Sequence, residues 1–222
     1  MKKIAASLLL TALNTAVVFA QHAKAFVIKT QEVKAKVSPS MWGLFFEDIN
    51  LGADGGLYAE LVLNRSFELD VPMMGWKELK GHQADGNYLI LNRGNTNKAN
   101  RRYIKLESTK GRYGLSNVGF RGMGIKKGMQ YDFSVLARRH KGCPASLSIE
   151  LIGEKGAVIG SASIKPDGEE WKRYTVSFTA AAAVDKARLD VLLEDKGIVD
   201  LDMISLFPQD TWKNRKNGLR SD

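Results

Sequence analysis

Polar side chains suited to chemistry follow a short apolar run near the N-terminal end of the chain, where Glu47, Asp48 and Asn50 come after Phe45 and Phe46. Two carboxyl groups can divide the roles of nucleophile and acid/base between them when they lie roughly 5 Å apart. Glu47 and Asp48 cannot form such a pair on one strand, because neighbouring side chains of a strand point to opposite faces. The spacing alone leaves two interpretations of Glu47 open, a contact to a ligand or a structural salt bridge.

The strand that would carry Glu47 is predicted from residues 42–47, which are apolar on both faces. Such a run is typical of a buried strand in a parallel sheet. Glu47 then lies at the carboxyl end of the strand, with Asp48 on the opposite face. Asp48 and Asn50 begin the following loop, where they either contact a ligand or only shape the loop.

A helix is predicted after this loop, over residues 54–64. Asp54 is a suitable N-cap, and apolar residues with helical spacing follow it at positions 57, 61 and 62. Asn64 and Arg65 are expected to fix the end of the helix. Residues 42–64 are therefore predicted to form one βα unit.

The character of the sequence changes near Val71, and from there to Phe207 short alternating runs are separated by polar turns. In four of these runs the apolar side chains fall on one face: Tyr131, Phe133, Val135 and Ala137; Leu147, Ile149 and Leu151; Tyr174, Val176 and Phe178; Ala187, Leu189, Val191 and Leu193. Many short strands at this spacing predict an antiparallel β-sandwich over 71–207.

After the sandwich, residues 210–222 begin like a helix, with Asp210 or Thr211 as the cap. A single βα unit cannot bury its own faces, so both flanks of the sandwich are predicted to belong to a larger α/β body. Apolar side chains of the unpartnered unit, such as Phe46, Leu57 and Leu61, would otherwise stay uncovered and favour local disorder.

The first 20 residues predict a secretory signal peptide. Lys2 and Lys3 precede an apolar run over 4–13, and small residues precede a cut before Gln21. The run is too short to span a bilayer, which takes roughly 20 residues. A buried N-terminal helix is the alternative. We expect an exported protein, periplasmic or extracellular, with no membrane contact once the signal is removed.

The net charge and the cysteine content limit which partners, disulfides and metal sites the chain can have. The net charge is +9, but its basic residues are scattered outside 98–102 and 213–220, and no nucleic-acid-binding motif accompanies them. We therefore expect a solvated basic surface and no nucleic-acid partner. Cys143 is the single cysteine, which excludes a disulfide within the chain, and three histidines beside it argue against a zinc site.

Three stretches carry a resemblance to a known family. Residues 43–68, GLFFEDINLGADGGLYAELVLNRSFE, resemble the opening barrel strand and helix of α-L-arabinofuranosidases of glycoside hydrolase family 51. Residues 168–180 and 199–220 resemble a carbohydrate-binding-like β-sandwich of these enzymes and the return to the barrel. The resemblance implies a (β/α)₈ barrel plus a sandwich to which an N-terminal strand contributes. The implied reaction is retaining hydrolysis of terminal α-L-arabinofuranosyl groups in arabinan and arabinoxylan.

The resemblance also implies a division of the chain after the signal peptide, 1–20. Residues 26–70 would hold N-terminal strands and the first βα unit, and 71–207 a jelly-roll sandwich resembling a carbohydrate-binding module. Residues 208–222 would start the next barrel helix, so the fold is mainly β. The two catalytic glutamates of the family lie on later barrel strands, and we therefore expect no catalytic residue in this chain and no activity from it alone.

The resemblance assigns Glu47 a sugar contact in the arabinose subsite, with Asp48 and Asn50 beside it. Trp76 and Trp171 are candidates for stacking on a sugar ring, with core packing as the alternative. Asp200 and Asp202 share a strand face that could hold Ca²⁺, although such carboxylates are more often solvated, and no other cofactor or metal is expected. The alternative function is a free-standing secreted carbohydrate-binding protein without catalysis.

Overall fold

The computed structural model describes residues 26–41, 43, 45–93 and 98–222, so the predicted signal peptide lies outside the described residues. The chain divides into two units, one that ends at Phe46 and one that begins at Glu47. The described part of the first unit has a 3₁₀ turn at Pro39–Met41 and no strand. The prediction that the region 26–70 begins with N-terminal strands is therefore wrong. The apolar side chains there are exposed, and a strand without a neighbour leaves its backbone hydrogen bonds unmade.

The second unit is a sandwich of two antiparallel sheets, which confirms the predicted fold class. The strands of the first sheet run in the order β1-β4-β10-β7-β8, with β5 also paired to β10. Their bounds are β1 Trp76–Lys80, β4 Tyr113–Asn117, β5 Met123–Ile125, β7 Leu147–Ile152, β8 Val158–Ile164 and β10 Val184–Leu193. The second sheet runs β2-β3-β11-β6-β9. Its bounds are β2 Asp85–Asn92, β3 Arg102–Lys110, β6 Gln130–Arg139, β9 Lys172–Thr179 and β11 Gly197–Pro208.

The core lies between the two sheets and is built from the alternation that the sequence shows. The inward residues of β6, β7 and β10 are buried as predicted, and Phe178 of β9 joins them. Tyr174 and Val176 are only partly buried but pack against the same core. Because alternate residues of a strand point to opposite faces, one buried sheet face is enough to fix the register of each strand.

The predicted helix over 54–64 is wrong, since no α-helix occurs among the described residues. Instead residues 55–57 and 63–66 form turns, and the residues between them lie beside the end of β11, where the amide of Leu61 donates to the carbonyl of Leu206 at 3.0 Å. Ala59 and Val62 are buried there. Burial against the sandwich thus overrides the helical spacing of the apolar residues, as tertiary packing commonly does for weak local preferences.

The other barrel-like elements are absent from the described residues as well. Residues 43 and 45–48 carry no strand, so Glu47 is not at a strand end here. A parallel strand needs neighbours that the described residues do not supply. The helix expected after Asp210 is replaced by a 3₁₀ turn at Trp212–Asn214, in which Lys213 has a left-handed φ of 56°. No helix in the described part of the chain is long and apolar enough to cross a membrane.

Candidate functional site

The loop with the predicted substrate contacts, residues 47–56, belongs to the sandwich unit. Glu47 is exposed. One carboxylate oxygen of Asp48, Oδ1, accepts the amide of Ala53 at 2.9 Å, so this side chain takes part in shaping the loop, and its contact with a ligand stays a prediction. Asn50 has a left-handed φ of 56° and lines a cavity. The sugar contact of Glu47 stays a prediction.

A close glycine contact holds this loop against the sandwich. Gly55 has a φ of 76°, and a Cβ atom there would lie 2.2 Å from a ring carbon of Phe120. Only glycine accepts both this backbone conformation and this approach without displacing the ring. The loop is therefore seated on the turn between β4 and β5 by a contact that no side chain could replace.

Glu60 is the most deeply placed carboxylate beside this loop, and the sequence did not single it out. Its side chain is fully buried and accepts hydrogen bonds from the Ser205 hydroxyl, the Leu206 amide at 2.9 Å and the Val62 amide at 3.0 Å. The Arg65 guanidinium lies 3.8 Å from the same carboxylate. The signal that could have found it is a lone acid in the apolar run Tyr-Ala-Glu-Leu-Val over 58–62.

Burial raises the pKa of Glu60 to about 7, although its hydrogen bonds and the charge of Arg65 act in the opposite direction. Desolvation dominates because a fully buried carboxylate loses the hydration of its charge. The group therefore changes its protonation in the near-neutral range instead of remaining ionised.

The partners of Glu60 lie at an irregularity in β11. Asp202 pairs with Leu136 and Ser205 with Ser134, so residues 203 and 204 stand opposite a single residue of β6. Such a bulge turns backbone groups away from the ladder. The freed amide of Ile204 donates to the carbonyl of Arg65 at 2.9 Å. The bulge thus supplies the attachment for residues 60–65.

The first sheet holds the same segment from its other side through Asn117 of β4. The buried Asn117 side chain accepts the Leu63 amide at 3.2 Å and donates to the Leu63 carbonyl at 2.9 Å. The Trp76 indole N–H donates to the carbonyl of Asn64 at 3.0 Å. Residues 60–65 are therefore pinned to both sheets.

Beside this segment lies a cavity of about 860 Å³. It is bounded by residues 50–61, by the stretch 120–131 and by 208–222. Arg220 and Asp222 form a two-bonded ion pair at its edge, with distances of 2.9 and 2.8 Å. Aromatic, acidic and basic groups all contribute to the walls, so the cavity could accept either a small polar molecule or another polypeptide surface.

The outer face of the second sheet carries a second polar cluster, around Asp200 and Asp202. Arg138 Nε donates to Asp200 at 2.8 Å and His140 lies 3.0 Å from the same carboxylate. Asp202 accepts from Arg93 and, at 2.9 Å, from the Asn100 side chain. Burial is the largest influence on Asp202 and raises its pKa, against the effect of Arg93.

These contacts argue against the predicted Ca²⁺ site. Both carboxylates are buried and each is held by a cationic side chain, so a metal ion would first have to displace an arginine. No group of three or more His, Cys, Asp or Glu side chains in the described part of the chain is arranged to hold a metal ion.

The two tryptophans predicted to stack on a sugar ring lie in different environments. Trp76 is buried and its ring centre lies 5.7 Å from that of Phe67, so the stacking prediction for Trp76 is wrong. Its strand, WKELK, has no clear apolar alternation that could have assigned the face. Trp171 is half-buried, but the guanidinium carbons of Arg93 and Arg138 lie 4.5 and 4.8 Å from its ring centre. A sugar ring would compete with these cations.

Known proteins are similar to this chain over most of its length. No protein-family model matches it. The extracellular exo-α-L-arabinofuranosidase of Streptomyces chartreusis is 39% identical over 191 residues, which are 85% of this chain and 22% of that enzyme. α-L-Arabinofuranosidase 1 of Arabidopsis thaliana is 30% identical over 84% of this chain and 29% of its own length. Among solved structures, an arabinose-bound α-L-arabinofuranosidase of glycoside hydrolase family 51 aligns with a TM-score of 0.67 and 28% identity, over 81% of this chain and 31% of that one.

Proposed function

We propose that this chain, a relative of the family 51 α-L-arabinofuranosidases, forms the N-terminal, non-catalytic part of an enzyme that releases terminal α-L-arabinofuranosyl groups. The chain spans only 22 to 31% of the length of the three relatives named above, so the activity of a whole enzyme is a proposal for it. The substrate class proposed is plant cell-wall polysaccharide, arabinan or arabinoxylan.

The observation that carries the proposal is the way in which the chain enters and leaves the sandwich. The amide of Arg220 donates to the carbonyl of Leu57 at 2.9 Å, and the amide of Ala59 donates to that of Gly218 at 3.1 Å. The segments on either side of the sandwich therefore lie side by side. This arrangement suits a domain placed within another fold, because it leaves the host's two connection points close together.

A retaining glycosidase needs two carboxyl groups roughly 5 Å apart, one as nucleophile and one as acid/base. The buried carboxylates in the described residues have other partners: Glu60 is bonded to Ser205 and the backbone, while Asp190, Asp200 and Asp202 each bind an arginine. We therefore propose that the catalytic pair lies in the part of the enzyme that corresponds to the unmatched region of the relatives. Glu47, exposed on the loop, is the residue proposed to contact the arabinose.

Turnover of an aryl α-L-arabinofuranoside by the purified chain tests the non-catalytic role. The proposal expects no hydrolysis above the buffer rate. Measurable turnover that disappears in Glu47→Gln would contradict it, because it would place catalysis within this chain.

Export, periplasmic or extracellular, is proposed from the N-terminal 20 residues and is checked by N-terminal sequencing of the product from the native host, with Gln21 expected first.

A free-standing carbohydrate-binding protein is the alternative function, and Trp171 is the side chain that it would use. Calorimetric titration of the chain with arabinan and xylan oligosaccharides separates the two. Heat of binding that is lost in Trp171→Ala would support the alternative. Absence of heat with every glycan would leave the sandwich with a structural role.

A further inference from the structure

The sequence contains a single asparagine that is followed by glycine, Asn217 before Gly218. The pair lies in a tight return of the chain: residues 216–217 form a turn, and the amide of Trp212 donates to the carbonyl of Leu219 at 2.9 Å. Asn217 is exposed and has a left-handed φ of 51°. Asparagine enters this backbone conformation more readily than most residues other than glycine, which accounts for its place in the turn.

The packing of the turn requires the glycine that follows. A Cβ atom at Gly218 would lie 2.7 Å from the carbonyl oxygen of Arg215. That oxygen is held in place, because it accepts the Thr211 hydroxyl at 2.5 Å. Any side chain at position 218 would therefore displace backbone. The fold thus keeps next to Asn217 the residue whose amide is least shielded by a side chain.

The surroundings of the pair favour a reaction between the Asn217 side chain and the Gly218 amide. Among the described residues, none forms a hydrogen bond with either of these two groups. Arg215 and Lys216 directly precede the pair, within the basic stretch 213–220. Nearby positive charges favour the negatively charged form of a group, here the deprotonated amide nitrogen that can act as a nucleophile.

We propose that Asn217 converts spontaneously to isoaspartate, with water as the co-reactant and ammonia as the second product. The deprotonated nitrogen of Gly218 attacks Cγ of Asn217, and the side-chain nitrogen leaves as ammonia, taking up through water the proton that the amide lost. Water then adds to the main-chain carbonyl of the cyclic imide, and the bond from this carbonyl to the nitrogen breaks. The chain now runs through Cβ and Cγ of residue 217, and the former main-chain carbonyl is a carboxylate. No atom is oxidised or reduced.

The conversion changes the backbone directly before a pairing of two distant segments. The carbonyl of Gly218 accepts the Ala59 amide at 3.1 Å, and the amide of Arg220 donates to the carbonyl of Leu57 at 2.9 Å. Isoaspartate adds a methylene group to the backbone before Gly218. Because the turn is closed on its other side by the Thr211 hydroxyl, the added length shifts Gly218 away from Ala59 and releases the pairing.

Peptide mapping of the purified chain, before and after prolonged incubation in neutral buffer, tests the reaction. Asn214 is the internal control, because it is exposed, has a left-handed φ of 53° and is followed by Arg215. Chymotrypsin releases residues 213–219 with both asparagines, and mass spectrometric fragmentation locates the change. An isoaspartate-specific methyltransferase separates isoaspartate from aspartate. Isoaspartate should accumulate at position 217 and not at 214. An unchanged Asn217, or equal conversion at both positions, would overturn the proposal.

Hydrogen exchange of the same samples tests the structural consequence. The amides of Ala59 and Arg220 should lose protection in the incubated chain, while those of the central strand β10 keep it. Asn217→Gln, whose longer side chain disfavours the cyclisation, should keep protection at both amides after the same incubation. Freshly purified Asn217→Asp carries the new charge without the longer backbone and should also keep it. Loss of protection in Asn217→Asp, or full protection of Ala59 in the converted chain, would overturn the release of the pairing.

Discussion

At the scale of single residues, the raised pKa of Glu60 predicts that the stability of the fold depends on pH. In the folded chain the pKa of Glu60 is about 7, whereas in the unfolded chain it is near the ordinary value of 4.5. The neutral form is therefore favoured by folding. Its contribution is fully present below pH 4.5 and is lost as the pH rises towards 7.

The variant Glu60→Gln should remove this pH dependence, because the amide keeps the shape of the side chain and cannot ionise. Between pH 4.5 and 7 the free energy of unfolding of the unaltered chain should fall by up to about 3 kcal/mol more than that of the variant. Urea unfolding across this range measures the difference. Glu170→Gln, an exposed acid, should keep the original slope, and equal slopes for all three proteins would refute the role of Glu60.

Gly55 provides a second test at this scale. Gly55→Ala places a methyl group against the Phe120 ring at a φ of 76°, and should cost about 2–4 kcal/mol of unfolding free energy. Gly124→Ala is the matched control, because no heavy atom lies within 4 Å of the added Cβ. Thermal melting compares the two. Similar melting temperatures would show that the loop 47–56 is not seated on Phe120.

At the scale of elements, β11 contacts both the buried group around Glu60 and the polar cluster around Asp200 and Asp202. Its inner face completes the core, its outer face carries Asp200 and Asp202, and its bulge holds residues 60–65. The bulge and the ion pairs lie within one strand, so a change in one cluster is expected to affect the attachment of the other.

Arg93→Ala tests the outer cluster. It removes the cation from the fully buried carboxylate of Asp202 and its contact with the Trp171 ring. Leaving a buried charge without its partner typically costs 3–5 kcal/mol, so we expect a loss of about 3 kcal/mol in chemical unfolding. Arg173→Ala, on the exposed part of β9, should change stability by less than about 0.5 kcal/mol. A comparable loss of unfolding free energy in both variants would mean that the Arg93 ion pair stabilises the fold no more than an exposed arginine does.

Element by element, the sequence predicts what depends on local alternation. The inward faces of β6, β7 and β10 follow from their patterns because one buried face decides a strand's register. The segment 54–64 could not be predicted in this way. Its helical spacing gave no sign that Glu60 would pair with Ser205, 145 residues later in the chain. Trp76 was misplaced for a related reason, since its hydrogen bond to Asn64 depends on the same long-range packing.

At the scale of the whole molecule, the unit that begins at Glu47 is a sandwich whose two flanking segments are hydrogen-bonded to each other, Arg220 to Leu57 and Ala59 to Gly218. Residues 43–68, 168–180 and 199–220 carry the family resemblance, and the relatives confirm it. The barrel elements that it implied are not formed among the described residues. A βα unit is stable only when neighbouring strands and helices bury its faces, and the sandwich offers these segments a different partner.

The measurement that tests the account most directly is the turnover of an aryl α-L-arabinofuranoside by a chimera in which this chain replaces the matched region of the Streptomyces chartreusis enzyme. It is compared with the isolated chain and with that enzyme lacking the matched region. We predict turnover by the chimera and none by the other two. A chimera that folds but does not hydrolyse the substrate, or an isolated chain that does, would contradict the assignment of this chain as the non-catalytic part of an arabinofuranosidase.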